Sequence, residues 1–138
     1  MPPVDLELPP EASSAAVARA ALRGLLAGLQ EPGPAPDHPA FDRVLLLTSE
    51  LVTNAILHAR TPLRLTARTE AGQVVVQVFD TVPSLPRRRS YRSDAGTGRG
   101  MHLVEALADR WGVDQMAGGK CVWFSVDLTA GEPSAQLG

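Results

Sequence analysis

Cysteine and lysine are scarce in this chain of 138 residues, and long apolar runs are missing. The single cysteine, Cys121, excludes an internal disulfide, and no cluster of cysteine and histidine has the spacing of a metal site. No stretch approaches the ~20 apolar residues of a membrane-spanning helix. Thirteen basic and fifteen acidic residues leave a net charge of -2, which argues against non-specific nucleic-acid binding because that requires a strongly basic face.

The rest of the composition is typical of one globular domain. Hydrophobic residues make up 44% of the chain and charged residues 20%, and a chain of this length builds one core. Residues 1–14 lack the basic end and apolar run of a signal peptide, so the sequence predicts a cytoplasmic protein. We expect residues 1–128 to form the domain and residues 129–138 to be a disordered tail.

Hydrophobic periodicity predicts the element order β-α-α-β-β-α-β-β. The predicted elements are a strand at 4–8, a helix from Ser13 or Ser14 to about 29, a helix at about 40–59, strands at 61–69 and 74–79, a helix at about 101–111, and strands at about 112–116 and 120–128. Val17, Ala21, Leu25 and Leu29 mark the apolar side of the first helix, and we expect Trp111 and Trp123 in the core. The order predicts an α+β fold, a two-layer sandwich in which three helices cover one face of a mostly antiparallel sheet.

The second predicted helix carries a polar stripe on an otherwise apolar surface. Glu50, Asn54 and His58 are spaced by four and therefore lie on one side. Apolar residues flank the stripe, so we expect Glu50 and Asn54 below the surface, where an unsatisfied amide costs about 1–3 kcal/mol. The stripe predicts a partner such as water, a metal or a ligand, and the alternative is a satisfied polar pair or a solvated surface. For His58, a structural role at the helix end is the expectation.

A long polar loop, residues 81–100, follows the strand that ends at Asp80. Loops of this length are usually lids, binding loops or disordered segments. This loop ends in Gly96-Thr97-Gly98-Arg99-Gly100-Met101, where glycines and the N–H groups of a helix start suit a phosphate. A flexible loop is the alternative for this motif, and a turn-initiating residue is the alternative for Asp80. The run Arg87–Arg89 predicts a contact with phosphate or with an acidic partner, and the alternative is a solvated loop, since the chain has twelve arginines and one lysine.

Together these features resemble the GHKL superfamily of ATP-binding domains. Residues 50–55, Glu-Leu-Val-Thr-Asn-Ala, resemble its N-box, Asp80 resembles the start of its adenine-contacting box, and residues 96–101 resemble its glycine-rich lid. From about residue 6 to residue 128 the chain is similar to the bacterial anti-sigma-factor serine kinases. Residues 106–112 and 118–124 resemble the closing helix and hairpin of those kinases.

The resemblance implies ATP and Mg²⁺ as ligands and a role for each matching residue. Asn54 would hold the magnesium ion, Glu50 would be the general base toward a protein serine or threonine, and Asp80 would accept a hydrogen bond from adenine. The phosphates would contact Gly96, Thr97, Gly98, Arg99, Gly100 and Met101. The implied partners are a sigma factor and an anti-anti-sigma protein of the STAS type, with no direct contact to nucleic acid or membrane, and the family also implies a homodimer.

Two departures from the family's pattern predict a weaker hold on the nucleotide. Thr81-Val82-Pro83-Ser84 follows Asp80 where the family has the glycines of DxGxG, and proline lacks a backbone donor. Cys121 stands where related sequences have a threonine that supports the adenine site, and a thiol is a weaker hydrogen-bond partner. The alternative function is therefore a non-catalytic partner-binding module of the same fold. A sensor histidine kinase is disfavoured, since the first helix has no phosphoacceptor histidine.

Overall fold

The computed structural model describes residues 3–29, 39–80 and 99–128, which form an antiparallel five-stranded sheet with helices on one face. The strands are β1 (Val4–Leu8), β2 (Leu63–Glu70), β3 (Gln73–Asp80), β4 (Arg110–Met116) and β5 (Gly119–Asp127), and the helices are α1 (Ser13–Ala27), α2 (Pro39–Ala59) and α3 (Arg99–Leu107). The strand order is β1-β2-β3-β5-β4, and each neighbouring pair is antiparallel. The predicted two-layer α+β sandwich is confirmed. Most of the predicted loop at 81–100 and the predicted tail at 129–138 lie outside the described residues.

Alternation along β3 separates the two faces of the sheet. Val74, Val76 and Val78 are buried, whereas the residues between them are only half-buried. The buried side packs against α2, and α1 covers β1 and β2 on the same side. Asp80, the last residue of β3, continues the series of buried side chains and therefore faces the helix layer.

The buried side of α1 differs from the predicted one. Ala18, Leu22, Leu25 and Leu26 are buried, whereas Val17 is 49% exposed. A strict four-residue series drifts around a helix that has 3.6 residues per turn, so it cannot follow one face. The core face instead mixes steps of three and four residues.

Helix α1 begins without a side-chain cap. Ala12 is the N-cap residue and makes no side-chain capping bond. The Ser14 hydroxyl is buried and donates to the carbonyl oxygen of Pro9 at 2.6 Å. The prediction that Ser13 or Ser14 caps the helix is wrong, because the Ser14 hydroxyl ties the helix start to the segment after β1.

Helix α3 is shorter than predicted, and the chain then joins the sheet. The helix ends at Leu107, the backbone N–H of Asp109 donates to the carbonyl of Ser125 in β5, and β4 begins at Arg110. Trp111 therefore lies on a strand and is 37% exposed. The predictions that Trp111 is helical and buried are wrong, because it follows Leu107 by four residues and helical spacing alone cannot detect the strand pairing. Among the described helices, none is long and apolar enough to cross a membrane.

Candidate functional site

The polar stripe of α2 lies at the border between the core and the surface. Asn54 is 5% exposed, while Glu50 and His58 are half-buried. The neighbouring residues Leu51 and Val52 belong to the core and hold the helix against the sheet. Asn54 is thus buried as predicted, whereas Glu50, one helical turn earlier, keeps partial access to solvent.

The side-chain oxygen of Asn54 has an unmet hydrogen-bonding capacity. Oδ1 is buried and has no hydrogen-bond partner within the described part of the chain. Buried polar atoms in folded proteins are nearly always paired. The hydroxyls of Thr48 and Ser125 are also buried without a partner among the described residues, so Asn54 is distinguished by the chemistry of its oxygen and by its place on the polar stripe. An amide oxygen is a hard ligand of the kind that Mg²⁺ binds.

The residues around Asn54 are compatible with a magnesium ion that is shared with a ligand. Across residues 3–29, 39–80 and 99–128, no group of three or more histidine, cysteine, aspartate or glutamate side chains could hold a metal. Mg²⁺ is commonly bound by one or two protein oxygens together with water and substrate phosphates. The chemistry of the Asn54 amide therefore fits the predicted ion if a bound ligand completes the coordination.

A buried ion pair lies where β3 ends and β5 begins. Asp80 and Lys120 are opposite each other in the register of the two strands, and Lys120 Nζ donates to Asp80 Oδ2 at 2.5 Å. The two residues are 6% and 7% exposed. Two further described ion pairs, Asp5–Arg64 and Arg68–Glu70, lie at the surface.

Lys120 is a residue of the candidate site that the sequence analysis missed. It is the only lysine in a chain with twelve arginines. Because it is an exception in the composition, Lys120 could have been identified from the sequence as an unusual position, although its contact with Asp80 could not. Asp80 is the predicted site residue that the structure brings into contact with it.

Cys121 lies on the other face of the sheet from Asp80. Because side chains alternate along β5, Lys120 and Asp80 both point toward the helices. Cys121 is opposite Phe79 in the register, and both lie on the face of the sheet that points away from the helices. Burial, with the charges of Asp114 and Asp80, raises the pKa of the Cys121 thiol to about 11. The residue opposite Asp80 in the register is Lys120, and the weaker hold on the nucleotide expected from Cys121 stays a prediction.

A cavity of about 560 Å³ opens at the same end of the sheet. Asp80 and Lys120 line it, and the rest of the lining includes the charged residues Asp5, Glu7 and Arg64 and the apolar residues Leu63, Phe79 and Met116. Its volume lies within the range of small-molecule pockets, roughly 300–1,000 Å³. Its described lining contains no residue of α2, so this cavity does not unite Asp80 with the polar stripe of that helix.

The predicted glycine-rich lid is described only at its end. Gly96, Thr97 and Gly98 lie outside the described residues, as does the run Arg87–Arg89. Residues 99–101 form the first turn of α3, which packs against α2. At the other end of α3, the guanidinium of Arg43 in α2 donates to the carbonyl of Leu107 at 3.3 Å. The helix that follows the predicted lid is thereby fixed beside the helix that carries Glu50 and Asn54.

Comparison with known proteins points to one family. The model of the histidine kinase-like ATPase domain matches residues 8–126. No curated protein matches the chain.

The chain is also similar to solved histidine kinases. The histidine kinase domain of the Erythrobacter litoralis EL346 blue-light activated histidine kinase has 25% identity and a TM-score of 0.54, covering 68% of this chain and 50% of that one. Another structure of the EL346 kinase gives 25% identity and a TM-score of 0.54, covering 70% and 32%. The Acinetobacter baumannii histidine kinase AdeS, with 12% identity and a TM-score of 0.51 over 64% and 47%, shares the fold. This chain spans half or less of the length of each of these structures.

Proposed function

The chain belongs to the family of histidine kinase-like ATPase domains, and from this premise we propose that it is an ATP-binding regulatory protein. The observation that supports the proposal most directly is the buried Oδ1 of Asn54, which has no hydrogen-bond partner among the described residues. Leaving such an acceptor unsatisfied costs about 1–3 kcal/mol. A magnesium ion bound with ATP would offset that cost.

Each candidate residue has a separate task in this proposal. Asn54 would hold Mg²⁺, which would neutralise charge on the phosphates, and Asp80 would accept a hydrogen bond from the amino group of adenine. The phosphates are bound by Gly96, Thr97, Gly98, Arg99, Gly100 and Met101. The start of α3 suits this task because the first N–H groups of a helix have no partner within the helix.

In the proposed reaction, the chain phosphorylates a serine or threonine of a partner protein. Glu50 accepts the hydroxyl proton as the hydroxyl oxygen bonds to the γ-phosphorus, and the bond between that phosphorus and the β,γ-bridging oxygen breaks to release ADP. The half-buried position of Glu50, one turn from Asn54, supports this role because the carboxylate can meet a hydroxyl that arrives from solvent. The partner is an anti-anti-sigma protein of the STAS type, and the chain, as a cytoplasmic homodimer, also sequesters a sigma factor.

Titration calorimetry and a phosphoryl-transfer assay test the two parts of this proposal. We expect ATP binding to require Mg²⁺ and to be lost in Asn54→Ala. Glu50→Gln should still bind ATP but transfer phosphate roughly 10²–10⁴-fold more slowly, which is the usual contribution of a general base. Glu105→Gln, an exposed position on α3, is the matched control and should keep the wild-type rate. Transfer at the wild-type rate by Glu50→Gln would show that Glu50 is not the base.

One observation favours a second candidate function, a partner-binding module of the same fold that does not use ATP. The carboxylate of Asp80 already accepts a hydrogen bond from Lys120 within the chain, and a carboxylate engaged in this way can serve as a structural ion pair. In that case the protein acts only by binding its partner protein. The same calorimetric titration separates the two functions, because the module shows no binding at millimolar ATP.

A further inference from the structure

We propose that Lys120 is a specificity-determining residue that reads the edge of the adenine base beside Asp80. This role depends on the proposed ATP binding and adds to it a second base contact. Asp80 offers a hydrogen-bond acceptor, and the ammonium of Lys120, 2.5 Å from that acceptor, offers donors. Both side chains are buried, and both line the cavity at the end of the sheet.

The choice of lysine at this position runs against the rest of the chain. Lys120 is the only lysine in a chain with twelve arginines, and arginine is the usual cation in buried ion pairs. The arginine fork binds a carboxylate through two parallel bonds and would engage both of its oxygens. The compact ammonium of Lys120 contacts Asp80 Oδ2 and carries three donors that can rotate. Lysine is therefore the residue that suits a carboxylate shared with a ligand.

The edge of adenine has a pattern that matches this pair. The exocyclic amino group donates a hydrogen bond, and the neighbouring ring nitrogen N1 accepts one. The amino group donates to the carboxylate of Asp80, while N1 accepts from the ammonium of Lys120. Both bonds involve a charged protein group, and such bonds are stronger than bonds between neutral groups.

The register of the sheet restricts this task to Lys120. Lys120 and Asp80 are paired across β3 and β5 and lie on the same face, whereas the thiol of Cys121 faces away. The turn that leads into Lys120, residues 117–119, contains only alanine and glycine, and these residues line the cavity as well. The turn therefore places no bulky side chain directly before Lys120.

A purely structural role accounts less well for the pair. Two charges taken out of water pay a desolvation penalty, and replacing a buried ion pair by apolar residues of similar size is often neutral or stabilising. The valines that precede Asp80 on the same face show that the site could have been built from apolar residues. Recognition of a polar ligand gives the pair a task that apolar residues could not perform.

Calorimetry of the full chain with Mg²⁺ tests the contact, using ATP and 1-deaza-ATP, in which a C–H group replaces N1. We expect the wild-type protein to bind 1-deaza-ATP about tenfold or more weakly than ATP, because a hydrogen bond to a charged group is lost. Lys120→Met should lose most of this preference and bind the two nucleotides equally. Lys120→Gln, which keeps a neutral donor, should retain part of it. As a matched nucleotide control, 7-deaza-ATP, altered on another edge of the base, should bind equally well to wild type and Lys120→Met relative to ATP.

The possible results separate this role of Lys120 from the proposed ATP binding. Equal binding of ATP and 1-deaza-ATP by the wild-type protein overturns the contact and leaves ATP binding intact, whereas binding of neither nucleotide overturns both. A preference that persists unchanged in the Lys120 variants also overturns it, since a merely structural pair would weaken both nucleotides by the same factor. Thermal melts check that the variants fold. If they do not fold, the comparison of ATP with 1-deaza-ATP on the wild-type protein still tests the contact with N1.

Discussion

Replacing Asn54 by leucine should stabilise the protein and abolish its binding of Mg²⁺ and ATP. Asn54 is 5% exposed, and its Oδ1 has no partner among the described residues, so the folded state carries the cost of an unsatisfied acceptor. Leucine branches at the same carbon and has no polar atom, so Asn54→Leu should recover about 1–3 kcal/mol. For a chain of this length, that corresponds to a rise in Tm of about 4–12 °C.

Thermal unfolding with and without ligand provides the assay. Mg²⁺ and ATP at about 100 times Kd should stabilise the wild-type protein by about 2.7 kcal/mol and leave Asn54→Leu unchanged. Thr48→Val is the matched control, because Thr48 is also on α2 and its hydroxyl is also buried without a partner among the described residues. Thr48→Val should gain stability in the same way and should keep its response to ATP.

Two outcomes would refute this reasoning. If Asn54→Leu lowers the Tm of the ligand-free protein while Thr48→Val raises it, the amide of Asn54 contributes to stability and is not held in reserve for a ligand. If Asn54→Leu gains stability and is still stabilised by Mg²⁺ and ATP as the wild type is, Oδ1 of Asn54 lacks a partner in the folded protein but does not bind the ion.

Two further predictions concern the sheet. Gly112→Ala should destabilise the protein by about 1–3 kcal/mol in urea titrations, because a Cβ atom there would lie 2.8 Å from Nε1 of Trp123. Gly24→Ala is the control, because Gly24 lies on an exposed part of α1 with open space around it, and this variant should gain about 0.5–1 kcal/mol of stability. A loss of stability in both variants would contradict the assignment to the Trp123 contact. Burial raises the pKa of the Cys121 thiol from 9.0 to about 11, and the charges of Asp114 and Asp80 contribute to this rise. Between these two pH values the unfolded chain releases the thiol proton and the folded chain keeps it. The free energy of unfolding should therefore fall as the pH rises from about 9 to about 11. Urea titrations across this range should show that Cys121→Ala lacks this part of the decrease, and identical pH profiles for the two proteins would contradict the raised pKa.

The order of elements could be predicted because local patterns encode it. In the β2–β3 hairpin, Leu63, Leu65 and Ala67 alternate with polar residues and are all buried, as period-two spacing requires. The turn between the strands, Ala71-Gly72, has positive φ angles at both residues, which suits a tight two-residue connection. The spacing of Glu50 and Asn54 likewise placed both on one side of α2, since four residues make about one turn.

The sequence alone could not predict how a segment meets distant parts of the chain. Trp111 fits the helical spacing of α3, yet strand pairing with β5 places it in β4, because a hydrogen-bonded neighbour outweighs a weak local preference. The core side of α1 likewise depends on which residues the sheet and α2 cover, and that left Val17 exposed.

The sequence by itself determined the α+β architecture and the position of the polar stripe on α2, because helix and strand periodicities are properties of neighbouring residues. The tertiary structure decided that Oδ1 of Asn54 has no partner among the described residues and that Asp80 pairs with Lys120, forty residues away. Both facts depend on the packing of α2 and on the register of β3 with β5. Contacts of this kind are set by burial and pairing between distant segments, which no local pattern records.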